Sequence, residues 1–282
     1  MQSSTKVSAR VVRGGDASDA LEVVATEEPL EIVLELDHEG APRRRTLALT
    51  MRTPGHDLEL AAGFLYTEGV IAGPEHLAAL HHFGPTAGEG EYRNVVRAEL
   101  APGVRVDFGR LERNVYTSSC CGVCGKTSID ALRATRRVEG PPRPVAFRAG
   151  LVHRLPAAMR AAQAVFEATG GLHAAALFDE RGELLVLRED VGRHNAVDKV
   201  VGSLLLAGAL PASDRLLFLS GRAGFELVQK AYMAGLPALA AVGAPSSLAV
   251  ELARELDVTL VGFVREGRFT IYAGAERITL DA

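Results

Sequence analysis

The pattern of apolar and polar positions changes character along the chain. In its first part, short runs of leucine, isoleucine, valine and threonine at 31–36 and 46–50 are separated by the string Asp37-His38-Glu39-Gly40. Apolar runs bounded by such turn formers predict strands of a small sheet. Leu58, Leu60, Ala61, Ala62, Phe64 and Leu65 then fall at helical spacing within 56–66, and Gly69 stands where a helix would stop. One helix packed on that sheet is expected. Residues 93–99 and 104–108 again read as strands, whereas the serines, glycines and cysteines of 114–126 carry no period and predict a loop. Thr127 is placed to cap a following helix, with Asp130 three positions on and Arg133, Arg136 and Arg137 towards its far end.

Gly140-Pro141-Pro142-Arg143-Pro144 interrupts any regular element, because proline lacks a donor and restricts the residue before it. This places the boundary between a β-rich unit, 1–137, and a second unit, 138–282. Beyond it the alternation becomes regular. A helix at 156–168 ends at Gly170-Gly171, strands at 174–178 and 183–187 flank a hairpin turn at 179–182, and a helix covers 195–206. Strands at 216–219, 238–242 and 259–263 then alternate with helices at 225–234 and 246–256. Strands alternating with helices in this way predict an α/β sandwich, and with the β-rich first unit an α+β protein overall. The chain shows no internal repeat and no low-complexity segment.

Composition narrows the classes. With 282 residues, 48% hydrophobic and 23% charged, the chain has material for a substantial core. A net charge of -4 gives no general attraction to nucleic acid or to an anionic membrane. The polar start Met1 to Arg10 lacks the apolar centre of a secretory signal, and no apolar run reaches the roughly 20 residues that span a bilayer. A cytoplasmic protein is the expectation.

The candidate chemistry begins with three cysteines, all within the string Ser118-Ser119-Cys120-Cys121-Gly122-Val123-Cys124-Gly125-Lys126-Thr127. So close together, they cannot staple distant parts of a fold. The Cys-x-x-Cys of Cys121 and Cys124 suits half a zinc site, a redox disulfide, or a persulfide on one thiol with the other helping its release. Zinc lacks a fourth ligand here, and the deaminase signature of His-x-Glu with Pro-Cys-x-x-Cys is absent, so no metal is expected. A P-loop fails because Cys120 stands where its first glycine is required. The serine, glycine and lysine neighbours are a poor setting for inert core cysteines, and Lys126 with the following helix start favours a thiolate.

A second constellation lies in the α/β part. Asp190-Val191-Gly192-Arg193-His194-Asn195 follows a strand and opens a helix, with Asn195 read as its cap. Ser220-Gly221-Arg222 has the same placement, and Glu226 with Lys230 has the spacing of a surface ion pair. Two such loops after neighbouring strands would meet at one sheet edge and receive a nucleotide-like anion. Phe263-Val264-Arg265-Glu266-Gly267-Arg268 closes the last strand with two arginines, which grip phosphate bidentately. His81, His82 and His153 have no partner pattern and read as surface or core histidines.

These segments, with Arg188 to Lys199 and Ala244-Pro245, together resemble the formate dehydrogenase accessory sulfurtransferase family, FdhD. The resemblance spans nearly all the chain after the first strands. It implies a larger domain similar to the cytidine deaminase fold, a three-layer α/β sandwich beside a smaller, mainly β domain, and a homodimer. It also implies a sulfur carrier that takes persulfide sulfur from a cysteine desulfurase. That sulfur would pass to the molybdenum bis(guanine dinucleotide) cofactor, the bound substrate, before insertion into the formate dehydrogenase catalytic subunit. On the family's motifs Cys121 matches the persulfide cysteine, Cys124 its partner, and 263–268 the stretch touching the cofactor. Cys120 stands where the family usually has serine. Two other activities fit the same residues: a cofactor-binding chaperone without sulfur transfer, and a thiol-disulfide oxidoreductase.

Overall fold

The structure, a computed structural model, describes residues 3–38, 41–84, 94–106 and 145–280. The three cysteines, the helix expected from Thr127 and the proline-rich boundary at 140–144 lie outside the described residues.

The chain opens with a hairpin of β1 (Ser4–Arg13) and β2 (Asp16–Ala25), which the apolar pattern did not announce. Gly14 and Gly15, at φ 57° and 99°, form its turn. Both central residues at positive φ match the right-handed strand twist, which is why two glycines stand there. A four-stranded sheet follows, in the order β4 (Ala41–Arg52), β3 (Glu28–His38), β6 (Val95–Leu100), β5 (Leu77–His82). In β3 the period is two: Leu30, Ile32 and Leu34 are buried while Glu31, Val33 and Glu35 face the other side. The buried face packs on α1 (Asp57–Thr67) through Leu60 and Ala61. The strand expected at 104–108 is absent among its described residues, because Pro102 and Gly103 (φ 85°) turn the chain. Val104 and Val106 pack against the core without a partner strand.

The second part is built on a six-stranded sheet, in the order β13 (Arg268–Ala273), β12 (Thr259–Arg265), β11 (Ala238–Ala241), β10 (Leu216–Leu219), β8 (His173–Phe178), β9 (Leu184–Asp190). Strands β10, β11 and β12 are parallel, and the other three add antiparallel at the edges. A minor parallel pair joins β7 (Phe147–Arg148) to β14 (Ile278–Thr279). The central strands are buried on both faces, so their sequences are continuous apolar runs, as the two-sided cover of a parallel sheet requires. On one face lies α2 (Ala149–Ala162), packed through Leu151, Val152, Leu155 and Met159 on Ala176, Phe218 and Ala240. On the other lie α4 (Arg193–Leu206), α5 (Phe225–Met233) and α6 (Ser247–Glu255). The α/β expectation therefore holds, as three layers.

The helix expected at 156–168 is instead two. Helix α2 starts seven residues earlier and holds Pro156 in its interior, and α3 (Ala164–Thr169) follows a break at Gln163. The break has a partner in space: Glu189 accepts hydrogen bonds from the backbone N–H of Val165 (3.0 Å) and Phe166 (2.7 Å). A carboxylate from β9 thus satisfies the first donors of α3, which no local pattern reveals.

The two parts are joined by α1 lying against α4. A Cβ on Gly63 would stand 1.9 Å from the Asp198 carbonyl oxygen, and one on Gly202 would stand 1.8 Å from that of Glu59. Only hydrogen fits at either position, so the two backbones touch. Among the described residues no helix is long and apolar enough to cross a membrane.

Candidate functional site: the loop edge of the six-stranded sheet

The carboxyl ends of β10, β11 and β12 lie side by side, and their loops are tied by backbone hydrogen bonds. Gly243 N–H donates to the Gly221 carbonyl (2.8 Å), and Phe263 N–H donates to that of Gly243 (3.1 Å). Ala223 and Pro245 form a parallel bridge beside them. The approach leaves no room for side chains: a Cβ on Gly243 would meet the Gly221 oxygen at 2.8 Å and Arg222 Cα at 3.0 Å. Phe263 sits at φ 52° with 42% of its surface exposed. A bulky residue in the left-handed region costs on the order of 1–3 kcal/mol, and such strain gathers at ligand sites.

The Asp190–Asn195 stretch reaches the same edge from β9. Asp190 is fully buried and organises it. Its Oδ1 accepts from Gly192 N–H (2.8 Å) and Asn195 Nδ2 (2.9 Å), and its Oδ2 accepts from Thr53 N–H (3.2 Å) and pairs with Lys199 Nζ (2.7 Å). Lys199 also donates to the carbonyls of Thr53 (2.9 Å) and Glu189 (3.3 Å). A fully desolvated charge pair is tolerable because its remaining protons and lone pairs are bonded in this way. Asn195 does not cap α4. The N-cap is Gly192, and Asn195, one turn in, is buried with its Nδ2 also donating to the Met51 carbonyl (2.8 Å). At the third helical position it lies past the N-cap, and its side chain braces the loop from within by bonding Asp190 and Met51.

His194 bridges this loop to the next one, its Nε2 2.6 Å from Glu226 Oε2. The histidine's hydrogen bond holds the Glu226 carboxyl below its ordinary value, against a smaller upward push from burial. The expected Glu226–Lys230 surface pair therefore does not form. Lys230 is buried and points to α1 and α4, where it meets Thr67 Oγ1 (2.9 Å), Asp198 Oδ1 (3.0 Å) and Glu68 Oε1 (3.1 Å). Burial opposes its charge, but the carboxylates of Asp198 and Glu68 outweigh that and raise its pKa. Beside these pairs Glu59 binds Arg188 through two hydrogen bonds, 2.5 and 2.8 Å, and His56 at 3.2 Å. Burial pushes the Glu59 carboxyl up, and these bonds overcome it and bring it to about 2.

One residue that the sequence reading passed over also faces this edge. His173 opens β8, and its Nδ1 would lie 3.3 Å from a Cβ on Gly221. Burial, helped by the charges of Arg193 and His194, lowers its pKa and favours a neutral imidazole. Its only signal in sequence is its place between Gly170-Gly171 and an apolar strand.

Gly192, Arg193, His194, Gly221, Arg222 and Phe263 are thus brought to one edge. Arg193 and Arg222 are exposed there, and among the described residues neither is paired with a carboxylate. Beyond Phe263, Val264 is buried and Arg265 leans back, donating from Nη1 to the carbonyls of Val242 (2.6 Å) and Val264 (2.9 Å). Glu266, Gly267 (φ 71°) and Arg268 form the exposed hairpin tip. The edge offers exposed guanidinium groups, the start of α4 and an exposed aromatic ring, a set that suits phosphate groups joined to a flat base. Cys121 and Cys124 lie outside the described residues.

A family model described as the FdhD/NarQ family matches residues 25–279. The sulfur carrier protein FdhD of Streptomyces avermitilis is 53% identical over 274 residues, covering 96% of this chain and 94% of that protein. The protein of the same name from Anaeromyxobacter dehalogenans is 48% identical over 276 residues, covering 95% and 91%. Among solved structures, a formate dehydrogenase accessory protein from Desulfotalea psychrophila superposes with a TM-score of 0.74 at 24% identity, covering 99% of this chain and 100% of that one. That likeness carries the fold. With a family model matched over nine-tenths of its length and relatives near half identical end to end, the chain belongs to the FdhD/NarQ family.

Proposed function

We propose that this chain is a sulfur carrier for formate dehydrogenase maturation, with Cys121 as the carrying thiol. The observation that supports it most is the 53% identity, over 96% of the chain, to a protein named as a sulfur carrier, in a sequence whose only three cysteines fall within residues 120–124. In the first step the Cys121 thiolate attacks the outer sulfur of a cysteine desulfurase persulfide. A new S–S bond forms on Cys121, and the desulfurase thiolate leaves. In the second, the Cys124 thiolate attacks Cys121 Sγ and hydrosulfide departs. A Cys121–Cys124 disulfide remains, and a cellular thiol must reduce it. The sulfur leaves at the sulfide level, the form in which a metal centre takes it as a ligand.

The recipient in this reading is the molybdenum bis(guanine dinucleotide) cofactor, the substrate rather than a resident group. Arg193, Arg222 and the backbone N–H groups at the start of α4 would hold its phosphates, and Phe263 would lie against a guanine face. Neutral His173 and the His194–Glu226 pair border the same edge without adding further positive charge at neutral pH. The test is complementation. In cells lacking their own carrier, the native chain restores formate dehydrogenase activity and Cys121→Ala does not. Full activity with Cys121→Ala would refute the proposal.

A further inference from the structure

The sheet edge opposite the loops carries a second feature that the sulfur-carrier reading does not use. Phe178 pairs with Leu216, the first residue of β10, so the turn between β8 and β9 lies at the amino ends of the parallel strands. Between this turn and α2 is a cleft of about 550 Å³, with Arg148, Leu151, Arg154, Glu180 and Arg181 among its lining residues. That volume falls in the range of small-molecule sites, roughly 300 to 1,000 Å³.

Three arginines line the cleft, and among the described residues none is within ion-pairing distance of a carboxylate. In a chain with 35 acidic and 31 basic residues, arginines gathered around one cavity and left unpaired are not explained by local neutralisation. Their backbones lie on ordered elements, with the side chains exposed. Arg148 is the N-cap residue of α2, Arg154 lies in its second turn, and Arg181 stands on a turn that Asp179 fixes by accepting from the N–H of Arg181 (2.9 Å) and Glu183 (2.8 Å). Gly182, at φ 88°, lets that turn sit on the helix: a Cβ there would meet Leu151 Cγ at 3.0 Å. A guanidinium group can grip an oxyanion through two parallel N–H bonds.

We infer that this cleft is a second binding site, separate from the loop edge, for a small molecule carrying two or more linked phosphates. Linked phosphates carry enough charge for three guanidinium groups, whereas a single carboxylate would leave most of that positive charge unneutralised. Among the described lining residues the one acidic group, Glu180, does not offset three positive charges.

The experiment is calorimetric titration of the full chain with inorganic pyrophosphate at about 50 mM salt, where phosphate contacts are weakly screened. The native chain, Arg154→Gln with Arg181→Gln, and Arg193→Gln with Arg222→Gln are compared, with circular dichroism verifying the fold of each. The cleft variant is expected to lose one binding event, or to weaken it at least tenfold, while the loop-edge variant keeps that event unchanged. Unchanged binding in the cleft variant overturns the inference. So does a polyglutamate peptide that binds the cleft more tightly than pyrophosphate, which would make it a protein-docking surface. Failure of the loop-edge site appears separately, as unchanged binding in the Arg193, Arg222 variant.

Discussion

The contact between α1 and α4 makes a prediction whose sign separates two physical effects. Gly63→Ala places a methyl 1.9 Å from the Asp198 carbonyl oxygen and 2.8 Å from Gly202 N, both backbone atoms, so no side chain can swing aside. The helices must separate, and because the clash is with backbone on both sides the cost lies at or just above the top of the usual range for overpacking, about 3–4 kcal/mol. Against this, alanine is a better helix former than glycine by about 1 kcal/mol. The net loss is then about 2–3 kcal/mol. For 282 residues, with about 2.1 cal/mol/K each, the unfolding entropy is about 0.6 kcal/mol/K, so the melting temperature should fall by about 3–5 °C. The assay is differential scanning calorimetry of Gly63→Ala, Gly202→Ala and the double variant. Because one contact is disturbed from both sides, the double variant should lose less than the sum of the singles. If the contact were looser, helix propensity alone would decide, and the melting temperature would rise by about 2 °C. A rise, or no change, refutes the account of how the two parts are joined.

Other consequences follow from the site. Lys199→Met leaves Asp190 buried with an uncompensated charge and should cost about 3–5 kcal/mol, while adding Asp190→Leu should recover part of the loss; thermal melts of the single and double variants test this. His173 is lowered by burial, so its neutral form belongs to the folded state, and stability should fall as pH drops below its ordinary value of 6.5; His173→Gln should flatten the melting curve against pH between 7 and 5. Glu226, also lowered, contributes stability above its ordinary 4.5 that is lost as pH falls further. Phe263→Gly relieves the φ of 52°, so it should be at least as stable as Phe263→Ala by chemical denaturation.

What the sequence disclosed follows from where each signal resides. The runs at 216–219 and 259–263 are legible because strands buried on both faces are apolar throughout and bounded by turns. The start of α2 was misplaced because Pro156 reads as a first-turn residue, whereas here it sits within the helix. The break before α3 depends on Glu189 and the burial of Lys230 on Asp198, partners supplied by other elements. Spacing of four places Glu226 and Lys230 on one helix side without saying which of them meets another helix. Gly63 and Gly202 look like ordinary small residues until α1 and α4 are placed together. The first hairpin went unread: Gly14-Gly15 is a turn signal, but the largely polar strands on either side gave no apolar run to flank it. The loop edge was readable in part: glycine and arginine after each strand marked it, while His173 and the inward turn of Asn195 needed the fold.

The central claim is that Cys121 carries sulfur, and its most direct test is mass spectrometry of the intact chain and its peptides after incubation with a cysteine desulfurase and cysteine. The account predicts a gain of one sulfur atom on the peptide containing Cys121, absent in Cys121→Ala and cleared by thiol reductant. No gain on Cys120, Cys121 or Cys124, with the desulfurase shown to be active, would contradict it.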